Sequence, residues 1–215
     1  MIQDLLSVLS RPESQQELIA QAVQHLTLSG VAVLLAIMVA VPVGIVLTRT
    51  RRIAEPIMTL VGLLQTVPSV ALLALMIPIL GIDWPPALAA LFLYALLPIL
   101  RNTYAGIKAV DPGALEAGRG MGMTSIQLLF MVELPLAFRV IMSGIRVSTV
   151  LIIGWATLAA FIGAGGLGET IMTGFAMVST GHILAGGIPV TLFALLADYG
   201  LGVLERKVTP RGLRV

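Results

Sequence analysis

Reactive side chains are scarce in this sequence, so the chemistry that the chain can perform is limited. It contains no cysteine, and its two histidines, His25 and His182, stand apart from other ligand-type residues. Without cysteine there is no disulfide framework and no thiolate ligand. We therefore expect no catalytic residue and no metal site in this chain.

A run of glycines suggests a second kind of chemistry. Residues 163–168 have the glycine spacing of a dinucleotide-binding loop, but such a loop follows a β-strand and precedes a ribose-binding acid, and neither is predicted here. The sequence also has no glycine-rich loop ending in Gly-Lys-Ser/Thr that could hold ATP phosphates. We therefore expect no cofactor in this chain. We interpret the run as close helix packing or as the hinge of an outer gate, at Gly163, Gly165, Gly166 and Gly168.

These features belong to a chain that is too apolar for water. Of its 215 residues, 58% are hydrophobic and only 11% are charged, and its mean hydropathy is +1.02. Soluble domains contain roughly 45–50% apolar residues. We therefore predict an all-α integral membrane protein, whose net charge of +2 reflects basic residues held on one membrane side rather than nucleic-acid binding. The polar residues 1–17 predict no signal peptide.

Apolar windows of sufficient length predict five transmembrane helices, at about 18–48, 56–82, 85–101, 140–163 and 183–204. The charged residues inside these windows are Arg101 at the end of the third, Arg146 in the fourth and Asp198 in the fifth. Nearly all basic residues fall on one side of these spans, namely Arg49, Arg51, Arg52, Arg101, Lys108, Arg119, Arg139, Arg146, Arg206, Lys207, Arg211 and Arg214. Only Arg11 falls on the other side. Because basic residues accumulate in the cytoplasm, we expect the N-terminus outside and the C-terminus inside.

Two connecting segments are longer than a turn requires. Residues 111–135 form the longest polar insertion, on the predicted cytoplasmic side, and carry Asp111, Glu116 and Glu133. Residues 163–181 lie on the predicted outer side, where we expect a short helix on or dipping into the membrane face. Since a five-span bundle needs only a short turn at 111–135, we expect this loop to have a task of its own.

The polar loop carries a gapped motif. It reads Glu116-Ala117-Gly118, three residues, Gly122, nine residues, Val132, one residue and Leu134-Pro135. This resembles the signature loop of ABC importer permeases, which reads Glu-Ala-Ala, three residues, Gly, nine residues, Ile, one residue and Leu-Pro. The sequence departs from it at Gly118 and Val132. Residues 64–75, 93–104 and 163–168 resemble the glycine betaine, carnitine and choline permeases. The resemblance implies the five-helix fold of type I ABC importer permeases, as a single domain over 1–215.

In that family the signature loop forms a coupling helix that sits in a groove of a cytoplasmic ATPase. We expect this helix at about Glu116–Gln127, with Gly118, Gly120 and Gly122 letting another backbone approach closely. Met121, Met123, Ile126 and Leu129 would supply apolar contact. The candidate coupling residues are Glu116, Ala117, Gly118, Arg119, Gly122, Met123, Leu134 and Pro135. ATP and Mg²⁺ are expected on the partner ATPase.

Polar and aromatic residues within the spans are candidates for lining a path. They are Gln65, Thr66, Pro68, Ser69, Tyr94, Ser148, Thr149 and Trp155. Pro68 is expected to kink the second span because it frees a carbonyl. Alternatively, these side chains satisfy freed backbone groups or bond to neighbouring helices. Asp198 lies in the last span, with Arg206 and Lys207 close by, and we interpret it as an interfacial residue.

The resemblance implies a function in the bacterial inner membrane. The chain would form half of the translocation pathway for an osmoprotectant quaternary amine such as glycine betaine, choline or carnitine. Its partners would be a second permease, which is another copy or a relative, two cytoplasmic ABC ATPases, and a substrate-binding protein outside the membrane. We expect that protein to be separate, because the sequence ends at Val215 without a binding domain. The alternatives are an importer of methionine or another amino acid, and a secondary carrier or osmotic channel.

Overall fold

The computed structural model describes residues 2–209, apart from the side chains of Ile2 and Arg51. Within this range the chain is helical and contains no strand. The helices are α1 (Ile2–Leu9), α2 (Pro12–Arg49), α3 (Arg51–Leu64), α4 (Ser69–Leu80), α5 (Trp84–Lys108), α6 (Pro112–Gly120), α7 (Ser125–Leu128), α8 (Leu134–Trp155), α9 (Gly168–Ala176) and α10 (Thr180–Val208). The Arg51 side chain, Arg211 and Arg214, all predicted to face the cytoplasm, lie outside the described part.

Four continuous segments of the described chain are long and apolar enough to cross a membrane. They are α2, α5, α10 and the segment Ser125–Ile162, in which a π-helical turn at Leu129–Glu133 joins α7 to α8 and a 3₁₀ segment follows α8. A fifth span is complete if α3 and α4 count as one broken crossing. The prediction of an all-helical fold with five spans is therefore confirmed if α3 and α4 together are counted as the second span.

The second span bends at Pro68, where a kink is predicted, but the bend is a full break between two helices. Residues Arg52–Leu64 and Ser69–Leu80 meet at an angle of 97°. Pro68 has an extended ψ of 135°, which ends the hydrogen-bonded ladder before α4 begins. A proline has no N–H and disfavours helical geometry in the residue before it, so both act together at this point.

Several helices extend beyond the apolar windows that predicted them. α2 begins at Pro12, α5 continues past Arg101 to Lys108, and the fourth span begins as helix at Ser125 rather than near 140. Hydropathy reports where the hydrocarbon ends, whereas a helix ends where its backbone ladder is capped. Proline at the first helical position, as at Pro12, is one such start signal.

The packing is centred on α5, which lies between α2 and α8 and buries residues along its whole length. Glycines let the flanking helices approach it. A Cβ at Gly44 of α2 would lie 2.8 Å from Thr103 Cβ, and one at Gly144 of α8 would lie 2.5 Å from Asn102 Cβ. Small residues at such crossings are typical of membrane helices, whose association depends on close van der Waals packing.

The two ends of the bundle differ in character. We call the end that carries Arg49, Lys108 and Arg119 the basic end, and the opposite end, which carries 163–168, the glycine-rich end. At the glycine-rich end, α1 packs against the start of α10, and the Asp4 carboxylate accepts a hydrogen bond of 2.7 Å from the Gly181 amide. The assignment of the basic end to the cytoplasm stays a prediction.

Candidate functional site

The loop at 111–135 folds into two short helices, so the predicted single helix at Glu116–Gln127 was wrong. Asp111 caps α6 by accepting from the Ala114 amide at 3.0 Å. α6 ends at Gly120, and Gly122 turns the chain with a φ of +79°. Thr124 and Gln127 then form a reciprocal capping box that starts α7. The Asp-Pro pair and the Thr-x-x-Gln spacing are start signals present in the sequence.

Gly118 lies on the inner side of the loop, against side chains of the loop itself. It is buried, and a Cβ at this position would lie 2.6 Å from Leu128 Cδ1. The expectation that Gly118 opens the loop to another backbone is therefore wrong. Gly120 and Gly122 differ, because a Cβ on either would meet no described atom within 4 Å. Gly118 therefore contributes to the internal packing of the loop, whereas Gly120 and Gly122 lie at its surface.

The outer surface of the loop combines apolar and charged side chains. Met121 and Ile126 are each 71% exposed, and Glu116, Ala117 and Arg119 are exposed beside them. Phe130 and Met131 on the π-helical turn are each 64% exposed. We call this surface, formed by Glu116, Ala117, Arg119–Gly122, Ile126 and Phe130–Met131, the loop face. Met123, Leu134 and Pro135 are only half-buried, and they lie where the loop meets the bundle. The loop face therefore offers apolar contact flanked by both signs of charge.

An ion pair fastens this loop to α2. Glu133, on the π-helical turn, is 1% exposed, and both of its oxygens accept from the guanidinium of Arg49, the last residue of α2. The bond from Arg49 Nη1 to Glu133 Oε1 is 2.9 Å. A cavity of about 340 Å³ adjoins the pair and is lined by Arg119, Met123 and Ser125 among others. The pairing was not predicted from the sequence, although one acid in the apolar run 128–137 is a signal that a buried partner exists.

The candidate path residues converge on the break of the second span. Gln65 Nε2 donates to the Tyr94 carbonyl at 3.0 Å, and the Tyr94 hydroxyl donates to the Val67 carbonyl. The Trp155 ring lies edge-on to Tyr94, with centroids 4.4 Å apart. Gln65, Tyr94 and Trp155 thus form one cluster. The Tyr94 hydroxyl satisfies a carbonyl at the break, and Gln65 bonds to the α5 carbonyl of Tyr94, which lacks its helical N–H donor because Pro98 stands four residues on.

The other candidate path residues are not part of that cluster. Ser148 is fully buried, and its hydroxyl donates to the Ala95 carbonyl at 3.0 Å, so it faces α5. The hydroxyls of Thr66 and Thr149 donate to carbonyls of their own helices. Pro68 is exposed and Ser69 half-buried at the break. A role in lining a path stays a prediction for all of these residues.

The glycine run packs against the first part of α2. Gly163, Gly165 and Gly166 have φ values of +75°, +79° and +86°, which side chains rarely adopt. The Gly166 amide donates to Gln24 Oε1 at 3.2 Å, and a Cβ at Gly166 would lie 3.3 Å from Nδ1 of buried His25. A Cβ at Gly168 would lie only 2.0 Å from the Thr157 carbonyl oxygen. Close packing is therefore observed, whereas a gate or hinge stays a prediction.

Asp198 has a specific partner on a neighbouring helix. Both of its oxygens accept from Arg146 of α8, at 2.9 and 3.0 Å, and Arg146 also donates to Glu205 at 3.2 Å. From the sequence, only Arg206 and Lys207 were expected near this acid, and Arg146 was counted among the basic residues that orient the spans. Arg146 is the partner because its side of α8 packs against the side of α10 that carries Asp198.

Comparisons with known proteins agree on one family. Residues 32–210 match the model of the family described as binding-protein-dependent transport system inner membrane component. The chain is 51% identical to the choline transport system permease protein OpuBB of Bacillus subtilis, over 92% of this chain and 91% of the relative. It is 52% identical to the carnitine transport permease protein OpuCB of Listeria monocytogenes, over 94% and 93% respectively.

A solved structure shows the same fold. The chain matches an inward-facing structure of the MetNI methionine ABC transporter with a TM-score of 0.83 and 22% identity, over 93% of this chain and 100% of that one. At this identity the likeness concerns the fold alone. Together with the matching family model and the relatives above half identity, it leads to one conclusion: the chain belongs to the inner-membrane components of binding-protein-dependent transport systems, as an ABC importer permease.

Proposed function

We propose that this permease forms half of the pathway of an ATP-driven importer of quaternary-amine osmoprotectants, and that the loop face is its ATPase-coupling surface. The observation that carries the coupling role is the exposure of Met121 and Ile126, each 71%, on the signature loop. Exposed apolar residues rimmed by charge mark protein-binding surfaces. The exposed Glu116 and Arg119 would fix the register of a docked ATPase by charge.

The pathway needs partners. The second half would come from another copy or a related permease, the energy from two cytoplasmic ATPases that bind ATP and Mg²⁺, and the cargo from a separate binding protein. When the ATPases close, the two loops would be displaced, and the permeases would alternate between inward- and outward-facing states. ATP hydrolysis is thus assigned to the partner, and this chain converts its motion into transport.

The cargo follows from the relatives. Proteins that share about half of their residues with this chain are named for choline and for carnitine, and OsmW of Salmonella typhimurium, 44% identical over 89% of this chain, is named as an osmoprotectant import permease. Choline and carnitine each carry a quaternary ammonium group. We therefore assign a quaternary amine to this chain, ahead of methionine.

Reconstitution tests the cargo. The permease is placed in vesicles with its ATPase and binding protein, and uptake of labelled glycine betaine, choline, carnitine and methionine is measured with and without ATP. We expect ATP-dependent uptake of at least one quaternary amine. Uptake of methionine alone would remove the osmoprotectant assignment, and uptake without the ATPase would indicate a secondary carrier.

A matched pair of variants tests the loop face. Ile126→Glu should abolish copurification of the ATPase, because it places a charge in the centre of the apolar contact. Ile82→Glu is the control, since Ile82 is also 71% exposed but lies in the hairpin before α5, at the glycine-rich end. It should leave ATPase binding unchanged. Equal ATPase recovery with both variants would contradict the assignment of the loop face.

A further inference from the structure

Charged residues of α8 and α10 face each other inside the bundle. Arg139, Ser143 and Arg146 follow one another at intervals of four and three residues on α8, and Asp198, Gly202 and Glu205 do the same on α10. The Arg146 guanidinium bonds to both acids and lies over Gly202, where a Cβ would be 3.3 Å from Arg146 Cζ. Because residue 202 has no side chain, the guanidinium has room to lie against α10.

This charged contact lies within the apolar spans. Arg146 is six residues past 140, where the sequence predicts the fourth span to begin, and Asp198 is six residues before 204, where it predicts the fifth to end. At 1.5 Å per residue, both lie about 9 Å inside the predicted boundary. Ionisable groups at such depth face a protein interior or a water-filled cavity, because hydrocarbon cannot solvate them.

The pair is not covered by the chain itself. The Arg146 side chain is 32% exposed and that of Asp198 43%. Beside it lies a groove of about 580 Å³, whose polar lining comes from Asn102, Ser143, Arg146 and Glu205 among other residues. Past this groove the exposed stripe of α8 continues with Val147 and Leu151, which lead towards Trp155. The groove is thus polar at the basic end and continuous with an exposed face of α8.

The other side of α10 has the opposite character. Leu192, Leu196 and Tyr199 are exposed there, at 51%, 65% and 68%. Leu196 lies only two residues from Asp198 along the helix, so it has nearly the same depth but points about 160° away. This apolar face suits lipid, whereas the groove side does not.

We infer that the groove between α5, α8 and α10 is a water-filled vestibule of the translocation path that opens at the basic end. This rests on the proposed transport function and assigns part of its route. Arg139, Arg146 and Glu205 line that vestibule, and Asp198, bonded to Arg146, balances the second positive charge, so the wall is neutral overall. A balanced wall does not hold a cationic cargo, which has to leave in order to be delivered.

Thiol accessibility tests the vestibule, and the chain suits the method because it contains no cysteine. Ser143→Cys is made in the vestibule and Leu196→Cys on the apolar face. Each is reconstituted as the full complex, with assembly checked by ATPase copurification. The vesicles are treated from the basic side with a membrane-impermeant quaternary-ammonium methanethiosulfonate, and a lipid-soluble maleimide then counts the remaining thiols.

We expect Cys at 143 to react at least about tenfold faster with the charged reagent than Cys at 196, since that reagent would have to enter hydrocarbon to reach 196. Reaction at 143 no faster than at 196 would overturn the vestibule. If Ser143→Cys fails to assemble, Val140→Cys takes its place, because Val140 also lines the groove, and its reaction rate is compared with that of Cys at 196 in the same way. Wild-type uptake is measured in parallel: ATP-dependent uptake together with an unreactive 143 refutes only the vestibule, whereas wild-type vesicles without uptake refute the transport proposal itself.

Discussion

Replacing Arg49 by glutamine should destabilise the chain by about 3 kcal/mol, because it leaves the Glu133 carboxylate buried without its partner. The Glu133 side chain is 2% exposed and that of Arg49 is 49% exposed. Removing one member of a buried pair typically costs about 3–5 kcal/mol. The half-exposed arginine and the adjoining cavity let water approach Glu133, so we take the lower end of that range.

The same geometry predicts that the two members of the pair are not equivalent. Glu133→Gln should cost only about 1 kcal/mol, since it removes the buried charge and leaves a half-exposed Arg49 that water can solvate. The double variant should resemble Glu133→Gln alone. It should therefore be more stable than Arg49→Gln, although it carries an additional substitution.

The measurement is the apparent midpoint of thermal unfolding in one detergent at one protein concentration. For a chain of this size about 1 kcal/mol corresponds to 2–4 °C, so Arg49→Gln should unfold about 6–12 °C below wild type. Arg52→Gln is the control, because it removes the same charge from an exposed position two residues into α3. Equal shifts for Arg49→Gln and Arg52→Gln, or a double variant less stable than Arg49→Gln, would refute this account of the ion pair.

Two glycine positions give further predictions. Gly168→Ala should destabilise the chain by about 3 kcal/mol, because its Cβ would lie 2.0 Å from the Thr157 carbonyl oxygen, whereas Gly187→Ala, which meets no described atom within 4 Å, should be neutral. Midpoints of thermal unfolding compare the two, and equal values would contradict the close packing. Gly122→Arg should abolish ATPase copurification and Gly122→Asn should preserve it, since asparagine tolerates a φ of +79° and adds no long side chain to the loop face. Loss of ATPase copurification with both variants would indicate that backbone strain at residue 122, and not a blocked surface contact, prevents ATPase binding.

The spans could be predicted from the sequence because the cost of charge in hydrocarbon is large and local. Long apolar windows with few charges therefore located all five crossings, including the pair that the structure shows broken at Pro68. The ends of the helices could not be predicted in this way. α5 reaches Lys108 because its backbone ladder continues past the membrane boundary, and hydropathy contains no information about that ladder.

The pairings could not be predicted because they depend on tertiary packing. Arg49 and Glu133 are 84 residues apart, and Arg146 and Asp198 are 52 apart. From the sequence, each arginine is sufficiently explained as a residue that orients a span. Two of these arginines neutralise acids of the bundle. This becomes visible only in the tertiary structure, where α2 crosses the π-helical turn and α8 packs against α10. The burial of Gly118 could not be predicted for the same reason, since it arises when the loop folds back on itself.

The segment Ser125–Ile162 explains how an event at the loop could reach the opposite end of the molecule. Its 38 residues run without a break from the capping box at Thr124 to the 3₁₀ turns before Gly163, and at 1.5 Å per residue they span about 57 Å. Its one π-helical turn is the place where Arg49 holds Glu133. In the proposed coupling, a displacement of the loop face acts on this helical segment at the point where Arg49 of α2 holds Glu133. The other end of α2 also contacts the glycine run, through Gln24 and His25. The helical segment and the ion pair would therefore move both ends of the proposed path together.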